Sequence, residues 1–164
     1  MVRTIKLDIA GLGLIFYSPF AVADIAVGDN YLSREFWNPE AVELQALQGR
    51  LVGVATGTPG TFFLRLHDGY PDADQLGRNE FKLRLGIDVR GGCLCIRDLY
   101  DLVQWDPVCP ADQRIELADG FWHVTLLSSV PASEVQGDDQ VIEAWLQPLT
   151  EFQALRYKGV PTLC

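Results

Sequence analysis

The stretch Phe81-Lys82-Leu83-Arg84-Leu85-Gly86-Ile87-Asp88-Val89 decides the fold, because apolar residues alternate with other residues through all nine positions. A period of two places successive side chains on opposite faces of a β-strand. Arg90-Gly91-Gly92 follow, and the apolar run at 93–96 comes directly after them. This pattern predicts a β-hairpin with its turn at residues 90–92.

Similar short runs, separated by turn-forming residues, recur along the chain and predict further strands at 2–9, 12–17, 21–27 and 141–146. Two more hairpins are predicted: residues 50–55 with 61–66 through Gly57-Thr58-Pro59-Gly60, and residues 114–117 with 121–128 through Ala118-Asp119-Gly120. The sequence therefore predicts a mainly β fold, an antiparallel β-sandwich or open barrel with one or two short helices.

The helix signals are few. Asn38 and Pro39 suit the N-cap and first position of a helix that ends at Gln48 before Gly49. Alternation at 42, 44 and 46 leaves a strand open there, and residues 149–157 are a second helix candidate. No predicted strand leads through a glycine-rich loop into a helix of 10–15 residues, which argues against a doubly wound nucleotide-binding fold.

The composition indicates one globular domain spanning residues 1–164. The chain has 164 residues, and 48% of them are hydrophobic, which is enough apolar material for a core. Acidic residues number 22 against 13 Lys and Arg, for a formal net charge of −9. This is the wrong sign for neutralising phosphates, so we do not expect a nucleic-acid partner.

The negative charge is concentrated in residues 98–151. This segment holds eleven acids and one base, Arg114, whereas the rest of the chain holds eleven acids and twelve bases. The eleven acids are Asp98, Asp101, Asp106, Asp112, Glu116, Asp119, Glu134, Asp138, Asp139, Glu143 and Glu151. Such a segment can steer a basic partner. The alternative is a solvated acidic face that keeps the protein soluble.

The cysteines suit reduced, buried side chains. They stand at positions 93, 95, 109 and 164, and three disulfide pairings are formally possible. A zinc site normally needs C-x₂₋₄-C pairs or added histidines, and the chain has only two histidines. We therefore expect no metal and no cofactor.

An uncharged run at 9–23 ends in Ala21-Val22-Ala23 and resembles a signal peptide. Asp8, the glycines and Pro19 interrupt that pattern, and the run is shorter than a membrane helix requires. We interpret it as core strands and expect a cytoplasmic protein without a membrane partner.

Catalytic signatures are missing from the sequence. His67 and His123 are the only bases for neutral pH, and no G-x-S-x-G motif is present. His67 precedes Asp68-Gly69 and suits a turn, while His123 suits a satisfied strand position. We expect a protein that is not an enzyme.

Two ligand-binding alternatives stay open. Paired carboxylates and the four tryptophans Trp37, Trp105, Trp122 and Trp145 are compatible with a carbohydrate-active or carbohydrate-binding sandwich. Asp68, Asp72 and Asp74 leave an irregular calcium site open, although the EF-hand pattern fails because Leu83 stands at position 12.

The segment 98–106 has the composition of a binding surface for a basic protein, because it contains both acids and aromatic residues. Asp98, Asp101, Trp105 and Asp106 are its candidate contacts. Asp138 and Asp139 add a second acidic patch in a predicted loop. The alternative is a segment in which Leu99, Leu102 and Trp105 pack inward at helical spacing.

The last third of the chain resembles small bacterial inhibitor and immunity-type β-sandwich proteins, including competence-type nuclease inhibitors. The resemblance covers Asp119-Gly120-Phe121 to Leu126, then Gly137-Asp138-Asp139 to Glu143, and Gly159-Val160-Pro161. It implies a stoichiometric protein that neutralises a basic toxin or nuclease, and no catalytic residue. A non-catalytic component of a larger assembly is the remaining alternative.

Overall fold

Nine β-strands form two sheets in the computed structural model, which describes residues 3–11 and 13–164. The large sheet has the strand order β1-β4-β9-β8-β5 and the small sheet the order β3-β2-β6-β7. The strands are β1 Arg3–Ile9, β2 Gly13–Tyr17, β3 Val52–Ala55, β4 Gly60–Asp68, β5 Phe81–Val89, β6 Cys93–Asp98, β7 Arg114–Glu116, β8 Gly120–Ser128 and β9 Gln140–Leu149. The prediction of a mainly β sandwich is confirmed.

Strand pairing is antiparallel except between β4 and β9, which run parallel with Leu64 opposite Ile142. A parallel pair needs a long connection. Here the chain forms β5 to β8 between the two strands and then returns to place β9 between β4 and β8.

The chain changes sheets at each short connection between described strands. β3 and β4, β5 and β6, and β7 and β8 are consecutive strands, yet the two members of each pair lie in different sheets. The three predicted hairpins, with turns at 57–60, 90–92 and 118–120, are therefore wrong in their pairing, although their strands are present. Alternation shows which side chains point to the core, but both sheets face the same core, so it does not show which sheet a strand joins.

The main core lies between the sheets and draws on all nine strands. Inward residues such as Leu64, Leu85, Val124 and Ile142 are fully buried. A second apolar cluster lies on the outer face of the small sheet, where the long connections 18–51 and 99–113 cover Ile15, Tyr17 and Cys95. The inner face of the small sheet thus belongs to the main core, and its outer face belongs to the second cluster.

The helix at Pro39–Gln48, α1, is confirmed with its predicted ends. The Asn38 side chain accepts a hydrogen bond of 2.9 Å from the Glu40 amide, and Gly49 ends the helix in the left-handed region at φ 67°. A second helix, α2, covers Ala73–Arg78 and begins with a capping box between Asp72 and Gln75. Asp72 is thus a helix cap, which sequence spacing alone had left as a calcium candidate.

Two predicted elements are wrong. Residues 21–27 contain the end of a 3₁₀ turn, Pro19–Val22, and not a strand. Residues 149–157 form no helix, because β9 runs to Leu149 and the following chain packs Phe152 on Phe121 at 5.0 Å between ring centroids. Residues 2 and 12 of the predicted strands lie outside the described residues. No helix in the described part of the chain is both long and apolar enough to cross a membrane.

Two glycines fix the loop that carries Asp138 and Asp139. The Thr61 amide donates a hydrogen bond of 2.8 Å to the Gly137 carbonyl, so the loop lies directly against the start of β4. Gly60 has φ 147°, and a Cβ there would lie 2.1 Å from the Gly137 carbonyl oxygen. Only glycine permits this approach of the two backbones.

We expect Gly60→Ala to destabilise the fold by about 2–4 kcal/mol more than Gly120→Ala. Gly120 is the matched control, because it also begins a strand and has φ 133°, but no atom lies within 4 Å of its Cβ position. Urea denaturation of both variants measures the difference. Equal losses would mean that the contact between Gly60 and Gly137 contributes nothing beyond backbone strain.

Candidate protein-binding surface

A buried arginine organises the segment that carries the first group of predicted contacts. Arg97 on β6 is 5% exposed and points to the outer side of the small sheet. Its guanidinium donates hydrogen bonds to Asp101 Oδ2 at 2.9 Å, to the Asp106 carbonyl at 2.6 Å and to the Tyr17 hydroxyl at 3.2 Å. Its Cζ lies 4.6 Å from the centroid of the Trp105 ring. The segment 98–106 is therefore wrapped around one cation.

Burial and mutual contacts shift the pKa values of Arg97 and Tyr17. Burial lowers the pKa of Arg97, but the Tyr17 hydroxyl and the Asp101 carboxylate outweigh it, and the net shift is upward. Burial raises the pKa of Tyr17 well above its usual range, although the hydrogen bond from Arg97 opposes this. The guanidinium therefore stays charged and the phenol stays neutral.

Trp105 lies in the core, where it is 1% exposed and meets Tyr17 edge to face at 5.7 Å. Leu99 and Leu102 are buried as well. Leu99, Leu102 and Trp105 thus pack inward, and Trp105 influences the surface through its contact with Arg97 and through backbone hydrogen bonds with Gly28 and Asp29.

The Asp98 carboxylate binds the backbone at two places. One carboxylate oxygen accepts from the Tyr100 amide at 3.0 Å and the other from the Ala10 amide at 2.9 Å. Burial raises its pKa, and the two amides partly offset this. Asp101 is partly exposed and Asp106 is exposed, so their carboxylates are the accessible charges of this segment.

Asp138 and Asp139 are exposed in the connection between β8 and β9. The loop is anchored from inside by Gln140, which is 4% exposed, accepts from the Gly137 amide at 2.9 Å and donates to Ser128 Oγ at 2.9 Å. Asp139 has φ 48°, a left-handed conformation that Asp and Asn tolerate better than other side chains. The two carboxylates are therefore presented on a defined backbone.

The structure brings the two acidic groups to one end of the sandwich without merging them. Asp98 binds the amide that follows β1, and Gly60, which pairs with the last residue of β1, lies against Gly137. Asp106 lies further along the outer side of the small sheet. The exposed acids of the 98–151 segment are Asp106, Asp112, Glu116, Asp119, Glu134, Asp138, Asp139 and Glu151.

An apolar groove beside this surface was not predicted from the sequence. Trp37 is 69% exposed and borders a groove of about 300 Å³ together with Phe36, Val42, Leu99 and Val160. Leu99 follows Asp98 directly, and the neighbouring Tyr100 is 49% exposed. Two exposed aromatic rings thus lie next to the acidic segment. The sequence analysis named Trp37 only as one of four tryptophans that could stack on a sugar, and nothing in the sequence indicated that it borders a groove with Leu99.

Both histidines lie on the outer face of the large sheet. His67 Nε2 is 2.5 Å from Glu143 Oε2, and its ring stacks on Trp145 at 4.4 Å between centroids. His67 therefore has a cross-strand partner that the predicted turn role did not include. His123 is 4% exposed, and its Nδ1 lies 2.7 Å from the Tyr70 hydroxyl. Burial lowers the pKa of His123, and the nearby Arg84 adds to this.

The cysteines are free thiols in the structure. Cys95 and Cys109 are buried as expected, whereas Cys93 is partly exposed and Cys164 exposed. Within residues 3–11 and 13–164, no three His, Cys, Asp or Glu side chains are arranged to hold a metal ion.

We expect Arg97→Met to destabilise the fold by about 3 kcal/mol, because it leaves the buried Tyr17 hydroxyl and the Asp106 carbonyl without their donor. Arg65→Met is the control, since Arg65 makes an exposed ion pair with Glu143 and should cost less than about 1 kcal/mol. Urea denaturation measures both. Hydrogen exchange at residues 98–106 should also be faster in Arg97→Met, and unchanged exchange there would contradict the anchoring role.

Comparison with known proteins establishes the fold alone. No protein-family model and no curated protein sequence matches the chain. A solved structure described as "Crocagin biosynthetic gene J" matches with a TM-score of 0.52 and 15% identity over 88% of this chain and 97% of that one. The chain is also similar to ComJ, inhibitor of the DNA degrading activity of NucA, from Bacillus subtilis, with a TM-score of 0.48 and 14% identity over 91% and 99% of the two chains. The first match shows that this two-sheet architecture has been built from a very different sequence.

Proposed function

We propose that the protein is a stoichiometric inhibitor of the immunity type, which binds a basic protein partner such as a nuclease or toxin. The observation that carries this proposal is the group of exposed acids Asp106, Asp138 and Asp139, held on anchored backbone, together with the exposed rings of Trp37 and Tyr100 beside the segment 98–106. The protein itself supplies no catalytic group in this proposal.

Electrostatic complementarity supports a basic partner. The segment 98–151 holds eleven acids and one base, and eight of the acids are exposed. Enzymes that act on nucleic acids carry basic clefts that attract phosphates, and an acidic protein surface exploits the same field. Complementary fields raise the association rate and exclude acidic competitors.

The aromatic rings next to the acids support direct protein contact. Interfaces gain most of their affinity from a few large side chains in water-excluding pockets, and tryptophan and tyrosine are enriched among them. Trp37 and Tyr100 present such rings, and the groove at Trp37 accepts an apolar side chain of the partner. In this proposal the acids orient the partner and the aromatic groove slows its release.

The partner is obtained by capture on the immobilised protein from a lysate of the source cell and is then purified. We expect a basic protein whose enzymatic activity falls to zero at one equivalent of the inhibitor. An acidic captured protein, or a captured enzyme that keeps its activity at excess inhibitor, would disprove the proposal.

Charge reversal in the anchored loop should slow association. We expect D138K/D139N to lower the on-rate at low salt by at least about tenfold and to have little effect at high salt, because rim charges act through long-range attraction. Asn replaces Asp139 since it tolerates the left-handed backbone. The control D24K/D74N changes the net charge equally at exposed acids outside the acidic segment. Equal on-rates for the two variants would mean that association depends on the net charge of the protein and not on the position of Asp138 and Asp139.

Removal of the exposed indole should speed release. We expect Trp37→Ala to raise the off-rate by about 30-fold or more, as for a central interface aromatic. Val27→Ala is the control, because Val27 is 75% exposed and does not line the groove. Surface plasmon resonance with the purified partner gives both rates. Off-rates that agree within twofold would place the interface away from the groove.

A further inference from the structure

Three of the four cysteines lie together on the outer side of the small sheet. Cys93 and Cys95 stand two residues apart on β6 and face the same side, with their sulfur atoms 3.9 Å apart. Cys109 belongs to the long connection that covers this face, and its interaction with Cys95 lowers the pKa of the Cys109 thiol. The three thiols differ in their access to solvent.

Cys93 is the thiol of this group that a small reagent can reach. It is partly exposed and lines a groove of about 620 Å³ with Arg3 and Arg114, whereas Cys95 is 1% and Cys109 8% exposed. Contact with the Cys93 sulfur raises the pKa of the Arg114 guanidinium. Reactive cysteines are characteristically part-exposed and close to cationic side chains, and Cys93 meets both of these geometric conditions.

We propose that Cys93 is a peroxide-reactive thiol that forms a reversible disulfide with Cys95. The Cys93 thiolate attacks one oxygen of a hydroperoxide, ROOH. The O–O bond breaks, Cys93 becomes a sulfenic acid and the leaving RO⁻ takes up a proton to give ROH. The Cys95 sulfur then attacks the Cys93 sulfur, and the hydroxyl leaves with the Cys95 proton as water. Two thiols and one peroxide thus give one disulfide, one alcohol and one water.

The position of the two cysteines on one strand explains why the bond would be reversible. Residues two apart on an extended strand have Cα atoms about 6.6 Å apart, close to the upper limit of about 6.8 Å that a disulfide spans. Their Cβ atoms point to the same face and are about as far apart, beyond the roughly 3.5–4.5 Å of a relaxed disulfide, so β6 must bend locally when the bond forms. A bond at this limit is strained, and strained disulfides are reduced easily by dithiols. The bond therefore suits a redox-responsive site and not a structural cross-link.

The chain offers a direct mass-spectrometric test. Trypsin cleaves after Arg90 and Arg97, so that Cys93 and Cys95 share the peptide 91–97 and Cys109 lies in the peptide 98–114. The full chain carries Cys164→Ser, which removes the exposed thiol. It is treated with one equivalent of hydrogen peroxide, alkylated and digested without reductant.

We expect the peptide 91–97 to lack alkylation and to be lighter by two hydrogens, the peptide 98–114 to be alkylated, and dithiothreitol to reverse the change. Cys95→Ser should leave a sulfenic acid at Cys93 that dimedone traps. Arg114→Gln should slow the oxidation about three- to tenfold, and Arg156→Gln, at an exposed arginine outside this groove, should not.

Three results would overturn the proposal. The first is a cross-link between the peptides 91–97 and 98–114, which would make Cys109 the partner. The second is full alkylation of the peptide 91–97 after peroxide treatment. The third is over-oxidation of Cys93 in the presence of Cys95. Circular dichroism of each variant before treatment identifies any that fail to fold, and Ala in place of Ser at Cys95 then serves as the second variant.

Discussion

The constraint on which the structure depends is that the short connections cross from one sheet to the other. The chain enters the opposite sheet after β3, after β5 and after β7, and both sheets contribute to one core. Strands that pair with each other within a sheet are separated by long stretches of chain. These long segments have no room between the sheets, so they lie at the surface, where they carry Trp37, Asp101, Asp106, Asp138 and Asp139.

Local patterns predicted the strands and one helix because their physical cause is local. Period-two alternation places β5 at Phe81–Val89, and the cap residues Asn38 and Gly49 delimit α1. Pairing depends on residues far apart in the sequence. A glycine-bearing turn suits both a hairpin and a crossing between sheets, so the turn residues at 90–92 carried no information on the partner of β5.

In the candidate site, too, some features follow from the local sequence and others depend on residues far apart in the chain. Exposure of Asp138 and Asp139 follows from a short acidic run after glycine, which is a local property. Burial of Trp105 depends on Arg97 and Tyr17, and Tyr17 lies 80 residues before Arg97. The contact between His67 and Glu143 requires the parallel pairing of β4 with β9, which no spacing rule reveals. The composition thus identified the acidic residues, whereas the role of Arg97 in holding the segment 98–106 could be seen only in the folded chain.

The position of β9 has a consequence for the order of assembly. Before β9 is added, the large sheet consists of two separate ribbons, β1 with β4 and β5 with β8, each with an unpaired edge. Unpaired edges recruit strands from other molecules, and non-local pairing is slow to form. During synthesis these edges stay open until residues 140–149 emerge from the ribosome. Until β9 pairs with β4 and β8, those two edges can therefore associate with strands of other molecules.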